Sequence, residues 1–131
     1  METVVQKAEG VIRSLVQHGK SGNSDGFLYL KKSQIRKFLT AVNMLTNKIN
    51  MYKIHHPGQA EMSAELAAEV EYLKVKLVYQ MGRDRAVRDF AEKADLQTEI
   101  NAVRANIKRY EGFARYMEAL VAYHKFYGGN D

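Results

Sequence analysis

From Ile35 to Tyr52 the large apolar residues Ile35, Phe38, Val42, Leu45, Ile49 and Tyr52 recur at intervals that alternate between three and four without a slip. That spacing gathers them on one stripe of an α-helix and turns the stripe toward other helices. The chain contains a single proline, Pro57, and lacks the regular Val/Thr alternation of strands. The expectation is an all-α fold, a compact bundle of five to six helices built as a single domain over residues 1–131. A chain of this length can bury a real core without a metal or disulfide. Cysteine is absent, which removes disulfides, thiolate zinc sites and thiol nucleophiles together and suits a cytoplasmic location. Glu2, Lys7, Glu9 and Arg13 interrupt residues 1–18. No signal peptide is expected there, and no apolar run reaches membrane-spanning length.

The other elements follow from the same periodicity. Val4, Ala8, Val11, Ile12, Leu15 and Val16 predict a first helix over 4–16, with Thr3 as its N-cap. Residues 19–26 (Gly-Lys-Ser-Gly-Asn-Ser-Asp-Gly) read as a flexible connector. A second helix is expected from a Ser33 N-cap to about Tyr52, ended by His55-His56-Pro57-Gly58. A third should run from Ser63 to Gly82, burying Leu66, Val70, Leu73 and Leu77, with Tyr72, Lys76, Tyr79 and Arg83 together on a different face. Val87 and Phe90 mark a short fourth segment.

Asp95 reads as an N-cap, and from Leu96 to Tyr127 the apolar register never breaks. One straight helix over 96–127 would be about 48 Å long, whereas a domain of this size is roughly 36 Å across. Either the segment bends or splits into two helices, with Gly112 as the break, or one end projects from the bundle; the break is the favoured expectation. Phe113, Tyr116, Leu120, Tyr123 and Tyr127 form a second seam beside the first, which suits a central helix contacted on several sides.

Catalytic motifs are missing. The sequence has no HExxH, no glycine-rich phosphate loop and no GxSxG. His55 and His56 would need a further ligand to hold a metal and read as an exposed loop; His124 reads as an interior histidine. No enzyme activity, cofactor or metal is expected.

Charge points elsewhere. Between Gly26 and Ala60 there are six basic residues, Lys31, Lys32, Arg36, Lys37, Lys48 and Lys53, and no acidic one, in a chain whose net charge is +5. A helical surface ordinarily mixes signs, so this stretch suits a polyanion. Lys31, Lys32, Arg36 and Lys37 crowd the start of the second helix, where positive charge opposes the helix dipole but free N–H groups attract phosphate. A second cluster comprises Lys74, Lys76, Arg83, Arg85 and Arg88, interleaved with Tyr72 and Tyr79, whose rings suit stacking on bases or riboses.

Three stretches carry a family likeness: Ser33–Phe38 (SQIRKF), Lys76–Asp84 (KLVYQMGRD) and Arg115–Gly129 (RYMEALVAYHKFYGG). Together, and in this order, they resemble the small helical subunit of type III-A CRISPR effector complexes, the second protein of the Csm series. The resemblance covers nearly all of Leu30 to Gly129. It implies a non-catalytic, RNA-binding subunit of a cytoplasmic antiviral ribonucleoprotein complex. Copies of such a subunit stack as an inner filament along a guide RNA–target RNA duplex, beside the backbone and large subunits that carry the nuclease chemistry. It also implies RNA contact through Arg36, Lys37, Lys76, Tyr79 and Arg83; Lys31, Lys32, Arg85 and Arg88 join them on charge and proximity. The rival expectation is a helical protein–protein adaptor whose aromatic last helix is the essential surface. A small DNA-binding protein ranks last, since no recognition helix is evident.

Overall fold

The computed structural model describes residues 2–22 and 32–127. Among the described residues six helices follow one another: α1 (Val4–Gly22), α2 (Lys32–His55), α3 (Ala64–Arg83), α4 (Arg85–Lys93), α5 (Leu96–Val103) and α6 (Ile107–Phe126). Among the described residues the only β-pairing is an isolated bridge between Glu61 and Asn106. The first helix runs past its expected end, so residues 19–22 of the anticipated connector are helical. Residues 23–26, the rest of that connector, lie outside the described residues.

The apolar stripes became the core. Ile35, Phe38, Val42, Leu45 and Ile49 of α2 are buried, as are Leu66, Val70, Leu73 and Leu77 of α3. Both seams of α6 are used: Tyr110, Phe113, Tyr116, Met117 and Leu120 are all buried. This helix packs against α1, α2 and α5, while α3 packs against α2, α4 and α5. Two tyrosine hydroxyls fix the register of that packing. Tyr110 donates to the Val42 carbonyl of α2 at 2.7 Å and shares a 3.0 Å hydrogen bond with Thr46. Tyr116 donates to the Ala94 carbonyl at 2.8 Å. Both phenols are thereby buried with partners, as a buried polar group requires.

The long C-terminal segment splits, but not where the glycine suggested. Gly112 lies inside α6, and the break falls at 104–106. Arg104 adopts φ 51°, ψ −118°, a conformation that favours glycine. Asn106 then caps α6, its side chain accepting from the Arg109 N–H at 2.9 Å. The break is held from outside by the segment before α3: Met62 N–H donates to Ala105 at 2.8 Å, and Ile107 N–H donates to Ala60 at 3.0 Å. Ser63, expected as the first residue of the third helix, is its N-cap, accepting from the Leu66 N–H. Asp95 does not cap in the usual way. It occupies the N-cap position of α5 in the left-handed region, φ 55°, and its side chain makes no capping hydrogen bond.

The break makes two opposite substitutions informative. A non-glycine residue at a strained position costs on the order of 1–3 kcal/mol, and glycine's extra unfolded-state entropy costs about 0.4–1 kcal/mol. Strain wins, so Arg104→Gly is expected to raise unfolding stability by about 1 kcal/mol. At Gly112 an added Cβ would meet nothing within 4 Å, and Gly112→Ala should add about 0.5–1 kcal/mol through helix propensity. Urea denaturation followed by circular dichroism measures both.

Alkaline pH should loosen the core. Burial raises the Tyr110 hydroxyl from 10.0 to about 12, against a lowering by its hydrogen bond to Thr46. The Tyr116 hydroxyl is raised as well, chiefly by burial and then by the Glu99, Asp95 and Glu2 carboxylates. Unfolded chains lose these protons first, so the stability is complete below pH 10 and declines as pH climbs from about 10 to 12. The urea midpoint should fall across that window, and Tyr110→Phe should flatten the fall.

Candidate nucleic-acid interface

Packing α2 against α6 through Val42, Phe38 and Ile49 leaves one flank of α2 for α3. Along the line where the two helices meet runs a groove of about 430 Å³, lined by Lys37, Phe38 and Ala41 of α2 and by Tyr72, Val75, Lys76, Tyr79 and Gln80 of α3. It continues past Ala41, Tyr72 and Lys76 into a second depression that reaches Met44, Lys48 and Glu69. Lys37 and Lys76, one from each basic cluster, thus line the same channel from its two helices.

The ends of the helices converge too. Gln34 of α2 donates through Nε2 to Asp84 Oδ1 at 2.8 Å, tying the start of α2 to the α3–α4 junction. Arg36 and Lys37 therefore lie at the same end of the molecule as Arg83 and Arg85, and all four side chains are exposed. Lys76 is exposed, with its ammonium 5.5 Å from the centroid of Tyr72. Tyr72 is 56 % and Tyr79 64 % exposed, so neither ring is spent on covering the core.

Tertiary structure divides the acid-free run into two halves. Lys48 pairs with Glu69 of α3 at 2.8 Å, and Lys53 with Glu111 of α6 at 2.7 Å. Their positive charge, which the sequence suggested was available to a polyanion, is offset by carboxylates from other helices. By contrast, Arg36, Lys37, Lys76, Arg83 and Arg85 have no carboxylate partner among the described residues. Arg88 stands apart from them because it pairs with Glu92, one turn on in α4, at 3.5 Å. Lys32 begins α2, and Lys31 lies outside the described residues. On this side of the molecule the charge left to the two clusters lies in the N-terminal half of α2, the C-terminal half of α3 and the start of α4.

Several exposed apolar residues escaped the sequence reading. Val75 and Val78 share the outer side of α3 with the two tyrosines, and Met44, Met51 and Ile54 line the outer side of α2. Their positions lie between the core stripe and the charged face, so periodicity alone does not mark them. On the far side of α3 a wider depression, about 750 Å³, is lined by Lys74, Asn101 and Arg104, with Glu71 beside them and Tyr72 again on its rim. Arg104 reaches it only because of the α5–α6 break, which the sequence did not locate. His55 and His56 are exposed, and the His56 ring stacks on Tyr52 at 4.3 Å. His124 is buried. Among the described residues no three His, Cys, Asp or Glu side chains converge as a metal site, and no helix is long and apolar enough to cross a membrane.

Equal charge removal at the two halves of α2 should have unequal effects. The pair Arg36→Gln and Lys37→Gln should elute from immobilised heparin at clearly lower salt than the parent chain. The pair Lys48→Gln and Lys53→Gln should shift elution much less, since those charges are already paired.

Sequence comparison supplies what geometry does not. The family profile described as "Csm2 Type III-A" matches residues 9–130. A Streptococcus thermophilus protein named "CRISPR system Cms protein Csm2" is 40 % identical over 130 residues, covering 99 % of this chain and 95 % of the relative. Proteins of the same name from Enterococcus italicus and Mycobacterium tuberculosis are 36 % and 32 % identical. The first alignment covers 78 % of this chain and 71 % of the relative, the second 97 % and 93 %.

Proposed function

This chain belongs to the type III-A Csm2 family, and on that premise we propose that it is the RNA-gripping, non-catalytic small subunit of a type III-A CRISPR complex. Family membership carries the coarser part, a subunit of that complex. The finer part rests on one observation: five cationic side chains without carboxylate partners among the described residues, Arg36, Lys37, Lys76, Arg83 and Arg85, lie where the N-terminal half of α2, the C-terminal half of α3 and the start of α4 come together. Such a field attracts a phosphate backbone without reading its bases. The strand it holds is the target RNA paired with guide RNA.

The charge of a single chain is modest, +5 overall. Useful affinity then comes from many copies on one strand, each adding a weak contact. In this reading the chain acts as one domain in the cytoplasm, stacks with neighbouring copies as an inner filament, and touches the backbone and large subunits. Cleavage chemistry belongs to those other subunits. The exposed apolar residues Met44, Met51, Ile54 and Phe126 favour a second reading, an adaptor for which RNA contact is incidental. The two differ in what happens when charge is reversed in a reconstituted complex: an adaptor variant would still retain and protect target RNA.

Titration of labelled single-stranded RNA with the isolated chain should give a dissociation constant of roughly micromolar or weaker, rising steeply with salt. Arg36→Glu with Lys37→Glu, or Lys76→Glu with Arg83→Glu, should weaken binding by at least roughly tenfold while helicity by circular dichroism is unchanged. Binding that ignores salt or depends sharply on sequence would exclude the phosphate-grip reading.

A further inference from the structure

The α2–α3 groove is not shaped for phosphate alone. Its floor is apolar, made by Phe38, Ala41 and Val75, and its two ammonium groups, Lys37 and Lys76, stand beside that floor. A bare phosphate gains nothing from such a floor, and it would find lysines as readily on an open helix face. An apolar helix from another protein would suit the floor but would leave the two cations unused. A nucleotide has both parts, a planar base and a flanking anion.

The two tyrosines in this groove are not equivalent. Lys76 lies over the ring of Tyr72, so a face of that ring already holds a cation. Tyr79 is more exposed, at 64 %, and among the described residues no ring or cation covers it. Half-buried Gln80 beside it adds an amide that can donate or accept. At the far end of the channel the Lys48–Glu69 pair cancels its own charge, so among the described residues the channel's ammonium groups without a carboxylate partner are Lys37 and Lys76. The volume, about 430 Å³, falls within the range of small-ligand clefts.

We propose that this groove receives one unpaired nucleobase, stacked on Tyr79, while Lys37 and Lys76 hold the phosphates on either side of it. The proposal rests on the RNA-binding reading above and deepens it by naming a base subsite. The base must be unpaired, because a base inside a duplex already has both faces stacked and leaving the helix costs a few kcal/mol. Stacking uses the π-face that every base has, so the subsite takes any base.

The test compares a short labelled single-stranded RNA with the same strand made abasic, each titrated with the full chain at low salt. Loss of the bases should weaken binding by at least roughly fivefold. Tyr79→Ala should cost about the same factor on the intact strand and nothing on the abasic one, with Tyr79→Phe close to the parent. Lys37→Glu should weaken binding of both strands, since it acts on phosphate. A 2-aminopurine placed in the strand should lose fluorescence on binding to the parent and keep it with Tyr79→Ala. If the abasic strand binds as tightly as the intact one, or if Tyr79→Ala costs the same on both, the base subsite is overturned, and the groove floor belongs to a protein partner. The phosphate grip survives that result. If neither strand binds at all, the RNA reading fails and the subsite with it.

Discussion

The arrangement hangs on α6 being buried along two seams at once. A helix with a single apolar stripe can slide or roll on its neighbour; one covered by α1, α2 and α5 cannot. Tyr110 adds a directional restraint, because its hydroxyl reaches the Val42 carbonyl only in one register of α2 on α6. With Val42 turned inward, Lys37, Ala41, Met44 and Lys48 are turned toward α3. Tyr116 restrains the other side, joining α6 to the end of α4 through Ala94. The groove and its charges are therefore a consequence of core packing. They do not need a loop to hold them in place.

Electrostatics in this molecule is decided by tertiary structure more than by composition. The same acid-free run yields neutralised lysines at one end of α2 and, among the described residues, cations without a carboxylate partner at the other. Surface pairs of the Lys48–Glu69 kind contribute little stability, typically about 0–1 kcal/mol. Their larger effect is on the shape of the field: they remove positive potential where the helix meets Glu69 and Glu111, and they leave it near Arg36 and Lys37.

The bundle was largely legible in the sequence because burial follows helical periodicity: most of the stripes of α2, α3 and α6 landed inside, with Tyr52, Ala114, Val121, Tyr123 and Tyr127 only partly buried. The start of α3 was legible to within one residue, with Ser63 as its cap rather than its first turn. The α5–α6 break was legible as a necessity of length but not as a position. Gly112 was the obvious weak point by propensity, yet helix α6 accommodates it. The real break needs the backbone of residues 60–62 as a partner, some 45 residues away along the chain. The same limit applies to the interface. Charge and spacing brought forward Lys37, Lys76 and Tyr79, whereas the cancellation of Lys48 and Lys53 and the exposure of Val75 and Val78 depend on which helices become neighbours.

The pairing of α1 with α6 joins the two extremes of the chain, with Tyr127 donating to Glu9 across a separation of 118 residues. During translation the first helix therefore leaves the ribosome long before its main companion has been made. Its buried side chains Ala8, Val11 and Ile12 stay without their final cover until α6 has been made. Nascent chains of this kind expose apolar surface for the whole of synthesis, the period in which holdase chaperones are most useful.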